Sequence, residues 1–308
     1  PSPEGLRFLS QRGRGSIAER NAKLILMVGV LGVSASAILV RFSQAPSGVT
    51  AAYRLGWTVL LLLPVVLLRC RAELRRVTAR DLVLCGASGV LLALHFLTWF
   101  ESLKRTSVAS STVLVSTEVI FTAMGFALFL HGKIPRLGVW AILLAFGGSA
   151  LLALSGGGGA GELSGNLLAL AAASAAAVYT LIGRIQRGHL STTVYTFLTY
   201  LACFLTLLLG TAAAGTPLTG YGGREWLIGL ALAVLCTLLG HSLFSWCLKY
   251  LSPSYVSAAK LCEPVFSSLA AIPLFGEVPG PLQLAGGAAV LGAVLLYPWA
   301  EREKPPAG

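Results

Sequence analysis

Acidic residues are scarce in this chain. Aspartate and glutamate together number 12 of 308 residues, and Asp81 is the single aspartate. That scarcity excludes an acidic magnesium cluster, and the chain has no HExxH and no histidine pair at metal-ligand spacing. The six cysteines, Cys70, Cys85, Cys203, Cys236, Cys247 and Cys262, form no CxxC pair and lie within or at the ends of apolar segments. They read as small buried hydrophobes rather than a disulfide frame or a zinc site. No metal or other cofactor is expected, and nothing favours a Ser/His nucleophile, so the chain reads as something other than an enzyme. The first twenty residues lack the apolar core of a signal peptide and read as a basic flank.

Charge of both signs is also sparse. Only 11% of residues are charged, against about 25% in an ordinary soluble domain, while 56% are hydrophobic and mean hydropathy is +0.79. Such a chain has too little polar surface to dissolve and belongs in a lipid bilayer. The net charge of +11 does not indicate nucleic acid, because the basic residues sit in short segments between apolar runs, with no interleaved aromatic stripe.

A bilayer core of about 30 Å takes roughly 20 apolar residues per helix, and the chain divides into ten runs of that size. Their limits are 22–43, 46–68, 81–103, 107–130, 136–155, 164–187, 191–213, 225–249, 253–276 and 279–300. Turn-forming breaks separate them, among them Ala45-Pro46-Ser47, the glycine run 156–159 and Gly276-Glu277-Val278-Pro279-Gly280. Seventeen of the 23 Lys and Arg fall on one side: those of the N-terminal flank, Arg69 to Arg80, Lys133, Arg136, Arg184, Arg187, Lys249, Arg302 and Lys304. Only Arg41, Lys104, Arg105 and Arg224 fall on the other, with Lys104-Arg105 the discordant loop, and Arg54 and Lys260 lie inside spans. Positive loops stay inside, so both termini are expected in the cytoplasm, in the inner membrane of the cell.

Two segments repeat. LKRTSVASSTVLVSTEVIF from Leu103 and LKYLSPSYVSAAKLCEPVF from Leu248 superimpose at an offset of 145 residues and place Glu118 opposite Glu263. Each carboxylate falls near the middle of an apolar span, where a charge is costly and is a functional site by default. Five spans per half is an odd number, so the second half enters the membrane in the opposite sense and the repeat is inverted. Such repeats commonly hold a substrate near the midplane, where the halves meet. The expected organisation is a mobile basic flank over 1–21, a first five-helix repeat over 22–155, a glycine-rich linker over 156–163, a second repeat over 164–300 and a tail over 301–308. The fold class is an all-α membrane protein with ten transmembrane helices.

The layout of five plus five spans, the segment ALHFLTWFESLKRTSVASS, and HSLFSWCLKYLSPSYVSAAKLCEPVFSSLAAIPLFGEVPGPLQLAGG resemble the EamA domains of the drug/metabolite transporter superfamily over about residues 22–300. Glu263-Pro264 and Leu274-Phe275-Gly276-Glu277 anchor the likeness. The resemblance implies a central cavity lined mainly by the first, third and fourth helices of each half, and movement of small metabolites, often outward. The halves differ in detail. Val119 stands where Pro264 follows its glutamate, and His131-Gly132-Lys133 stands where the second half has Gly-Glu.

The candidate substrate or coupling residues follow from depth. In a membrane cavity, Glu118 and Glu263 can hold a proton at neutral pH and release it when the cavity opens to water. The alternative is that each is a structural acceptor for neighbouring hydroxyls. Lys260 precedes Glu263 by three residues and can pair with it or receive a substrate carboxylate. His95, with Trp99 at i+4, suits an aromatic wall, and His241 occupies nearly the matching place in the second half. Arg54 suits an ion pair with Glu118 or an anion. Tyr179, Thr180, Ser34 and Ser36 are placed to line the cavity from the first helix of each half, whereas Arg41 lies close enough to a helix end to snorkel to the surface. The expected function is export of small amphipathic metabolites, such as amino acids, by alternating access with possible proton coupling, in a monomer or weak homodimer. The alternative is uptake of a quaternary amine held by aromatic faces, ahead of a channel, a scramblase or a membrane enzyme.

Overall fold

The protein is seen as a computed structural model that describes residues 3–129, 136–155, 160–186, 188–241, 243 and 262–302, with side chains of the first helix described from residue 21. Twelve helices carry the described chain: α1 (Pro3–Phe42), α2 (Ser47–Arg69), α3 (Arg71–Leu74), α4 (Ala79–Arg105), α5 (Val108–Val115), α6 (Glu118–Phe129), α7 (Arg136–Ser155), α8 (Ala160–Gln186), α9 (Thr192–Ala213), α10 (Gly223–Ala231), α11 (Cys262–Phe275) and α12 (Pro281–Arg302). From Leu232 to His241, α10 continues as a π-helix.

Local sequence explains most of the boundaries. Thr78 and Asp81 form a reciprocal capping box that starts α4, and Ser107 and Ser191 cap α5 and α9, each satisfying amide groups that the first turn leaves unpaired. Pro64 inside α2 and Pro273 inside α11 are tolerated, as they are in membrane helices, because neighbours re-satisfy the freed carbonyls. α1 begins at Pro3, so the basic flank is helical and continuous with the first span, and α8 begins at Ala160, inside the expected linker. Residues 156–159 of that linker lie outside the described residues.

Seven described segments are long and apolar enough to cross a membrane, and three shorter apolar helices, Arg136–Leu152, Cys262–Phe275 and Pro281–Leu296, accompany them. Leu68 is 84% exposed, Leu128 73% and Leu209 71%. Large apolar side chains turned outward along so many helices form a surface that water does not tolerate and lipid does. The chain is an all-α, multi-pass membrane protein.

Inside the bundle, α4 packs on α8 and α9, α2 on α9 and α10, and α1 on the π-helical segment and α11; α5 and α6 lie on α8, α5 also meets α11, and α7 pairs with α12. The principal core joins Leu55, Leu92, Phe96, Trp99, Phe100 and Leu103 to Ala172, Tyr200, Cys203, Leu232 and Cys236. Glycine sets how closely the helices approach. A Cβ on Gly89 of α4 would lie 2.5 Å from Ala202 Cβ and 2.7 Å from both Thr199 O and Cys203 N of α9. Small residues permit this approach, which replaces a hydrophobic driving force that lipid does not supply.

Gly89→Ala must therefore push α4 from α9, at a cost of about 1–3 kcal/mol. Gly86→Ala on the same helix meets nothing within 4 Å. Thermal melts of the purified protein should fall for Gly89→Ala alone; equal melts for the two variants would contradict the packing.

Candidate functional site

The fourth expected span, 107–130, is not one helix. It breaks at Ser116-Thr117, and α6 opens on Glu118. The hydroxyls supply the cause: Ser116 Oγ donates to Thr112 O at 2.9 Å and Thr117 Oγ1 to Leu114 O at 2.6 Å, competing with the backbone ladder as serine and threonine do. The break leaves Glu118 at a helix N-terminus, where the macrodipole favours a negative charge. Its Oε1 accepts from Thr180 Oγ1 of α8 at 2.8 Å.

His95 stands nearby on α4. Its Nδ1 is 3.0 Å from Ala172 O, and because a carbonyl only accepts, Nδ1 carries the hydrogen and Nε2 is the nitrogen at which the ring can gain or lose a proton. The ring stacks on Trp99 with centroids 5.8 Å apart at 26° and is within electrostatic reach of both Glu118 and Arg54. Tyr179 is also within reach of Glu118. Trp99 is buried, and among the described residues its indole N–H has no acceptor. Of the predicted residues, Glu118, His95, Trp99, Tyr179 and Arg54 are thus brought together around α4, α6 and α8.

Arg54 reaches this region from α2 and is 3% exposed. Its Nε donates to Thr237 Oγ1 at 2.9 Å, its Nη1 donates to Ser36 Oγ at 3.1 Å, and its guanidinium lies 4.4 Å from the centroid of the Phe96 ring. Thr237 belongs to the π-helical segment, and π geometry is a frequent mark of functional sites. Arg54 makes no ion pair among the described residues, Glu118 included, although Glu263 is within electrostatic reach. Glu263 sits half-buried in the first turn of α11. Lys260 lies outside the described residues, as does the side chain of His241. Ser34 Oγ donates within its own helix, to Val30 O at 2.7 Å, and its carbonyl accepts from Ser267 Oγ of α11 at 3.0 Å.

The sequence gives Phe96 and Thr237 no mark, and only the fold connects them to Arg54. The Ser-Thr pair before Glu118 was the available signal for the break.

Arg41 does not snorkel. It is drawn inward at one end of the bundle, where its Nη1 donates to Leu103 O and, at 3.0 Å, to Thr106 O, and its Nη2 pairs with Glu277 at 2.5 Å. Glu277 in turn accepts from the amide of Val108 at 2.7 Å. Gly276 makes this possible: at φ 68° it ends α11 in a conformation favoured by glycine, and the next residue faces Arg41. At the same end Ser43 donates to Glu225 at 2.6 Å, and Lys104 donates to Ala45 O at 2.6 Å. The discordant basic loop is thus partly spent on internal contacts. At the opposite end, Asp81 pairs with His189 at 2.6 Å beside an open hollow of about 500 Å³ that includes Arg69, Glu73 and Arg76. None of Glu118, His95 or Arg54 lines it.

The EamA-like transporter family model matches residues 21–154 and again 163–297. The chain belongs to that family. It is therefore a transporter and not an enzyme. Curated relatives of this EamA-like transporter include the pseudopaline exporter CntI of Pseudomonas aeruginosa, 24% identical over 207 residues covering 67% of this chain and 72% of the relative. A probable terminal-alkyne amino-acid exporter of Streptantibioticus cattleyicolor is 27% identical over 233 residues, covering 72% of this chain and 75% of its own. A protein of known crystal structure superposes with a TM-score of 0.58 over 93% of this chain and 99% of that one, at 19% identity, a likeness of fold alone.

The Glu277 clamp yields a contrast. Glu277→Gln removes the charge from a partly buried junction and should cost about 1–3 kcal/mol. Glu101→Gln breaks the more exposed pair with Arg105 and should cost less than about 1 kcal/mol. Melting in detergent reads both, and equal losses would remove the clamp from the description of that end.

Proposed function

We propose that this EamA-like transporter is a ten-span carrier built from two inverted five-helix repeats, which exports small amino-acid-like metabolites by alternating access, with Glu118 as the proton carrier. Helix packing supports the repeat. Exchanging the five spans of one half for those of the other exchanges α4 on α8 for the π-helical segment on α1, α4 on α9 for α10 on α2, and the α5–α6 span on α8 for α11 on α1. The pairs α2 with α9, α5 with α11 and α7 with α12 map onto themselves, as an axis between the halves requires. The double family match supports the same division. The basic bias of the loops supports cytoplasmic termini.

The observation that carries the function is Glu118 at the broken helix. A carboxylate at a helix N-terminus inside a membrane bundle, held by one hydroxyl and within electrostatic reach of the His95 imidazole, is placed where a proton carrier is needed. Glu263, at the matching position, lies near Arg54 instead of His95, so the two carboxylates differ in task. Export of amino-acid-like compounds is supported by the names of the relatives. Uptake of a quaternary amine is disfavoured by Arg54, whose charge repels a second cation and already covers the Phe96 face.

Proteoliposomes with a pH dye trapped inside test the coupling. A panel of amino acids and amines should include members whose movement alkalinises or acidifies the lumen, and Glu118→Gln should lower that pH signal at least tenfold. Transport with an unchanged pH signal in Glu118→Gln would exclude Glu118 as the carrier.

A further inference from the structure

Among the described residues, Arg54 is the one buried cation in the central core that the proton-coupling scheme leaves unused. Its guanidinium carries five N–H groups, of which Thr237 takes one and Ser36 another. The remaining three have no acceptor among the described residues, and the two oxygens that do bind it are neutral. Burying a cation without an ionic partner is costly, and a ring face offsets only part of that cost. A scaffold does not keep such a group for packing alone. The other half makes the same point, since the offset of 145 residues places Thr199 where the first half has Arg54. The repeat therefore folds at this position without a cation.

We propose that Arg54 is the carboxylate-binding residue of the transport site, so that the transported metabolite is a carboxylate. This rests on the transporter reading and adds its substrate chemistry. The planar fork formed by Nη1 and Nη2 matches the two oxygens of a carboxylate. Thr237 holds Nε and Ser36 takes one hydrogen of Nη1, which leaves the second Nη1 hydrogen and both of Nη2 for the ligand, and Phe96 beneath the plane keeps the fork from turning. With Glu118 and Glu263 in the same region, a doubly charged anion is repelled more strongly than a single carboxylate, whose one charge Arg54 balances.

The test compares amino acids with their amides, which keep the side chain and the ammonium and lose the acid. Wild-type protein in proteoliposomes is given each of the common amino acids and, for every one that moves, its amide and the corresponding amine. The acid should move at least tenfold faster than the amide. Arg54→Gln should lose at least tenfold of that acid flux while treating acid and amide alike, and Arg54→Lys should restore part of the preference; monodispersity and melting confirm that both variants are folded. Amides or amines moving as fast as the acids overturn the carboxylate site and leave the transporter reading standing, as does Arg54→Gln with undiminished acid preference. A wild-type protein that moves no amino acid overturns both the carboxylate site and the amino-acid reading.

Discussion

Everything in this bundle answers to one constraint: the hydrocarbon core offers no water to polar groups, so each must be satisfied within the protein. The solutions are local where they can be. Ser34, Thr58, Thr98, Thr112, Ser149 and Thr206 each donate to the carbonyl four residues earlier, which disposes of a hydroxyl at little cost. Where hydroxyls cluster, at Ser116 and Thr117, the same bonds break the helix and create a terminus. That terminus is what makes room for Glu118.

Charge is handled by a different route. The carboxylate of Glu118 takes a hydroxyl and a helix end, Arg54 takes two hydroxyls and a ring, and Arg41 takes two carbonyls and Glu277. Only the last is a complete ion pair, and it sits at an end of the bundle, tying α1 to the amino end of α5 and the turn after α11. The central charges are less fully compensated. Incomplete compensation at the centre and full compensation at the end suit a machine whose middle exchanges ligands and protons and whose end must hold until it is released.

Much of this was legible in the sequence, because hydropathy and loop charge are properties of composition along the chain. The described helices fall largely where apolar runs put them, apart from the break at Ser116-Thr117 and the start of α8 at Ala160, and Glu118 stands out because a carboxylate has no ordinary business in such a run. What escaped depended on contacts. Arg41 near a helix end looks the same whether it snorkels or is captured, and Glu277, 236 residues along the chain, decides between the two. The π-helical stretch from Leu232 to His241 has ordinary helix-forming residues, and its geometry becomes sensible only once Thr237 is seen to face Arg54. The predicted pairing of Lys260 with Glu263 depends on Lys260, which lies outside the described residues. Depth makes Arg54 a candidate partner for Glu118 or for an anion; the fold turns it toward Ser36, Thr237 and Phe96.

Alternating access is the claim from which coupling and export both follow, and exposure of the broken helix tests it most directly. In a chain whose six native cysteines are replaced, Ser116→Cys places one thiol beside Glu118. Sealed vesicles are treated with a charged, impermeant thiol reagent from the outside or from the lumen. Alternating access predicts that the thiol reacts from either side, in turn, with substrate shifting the balance between the two rates. Reaction from one side only, unchanged by any transported solute, would contradict it.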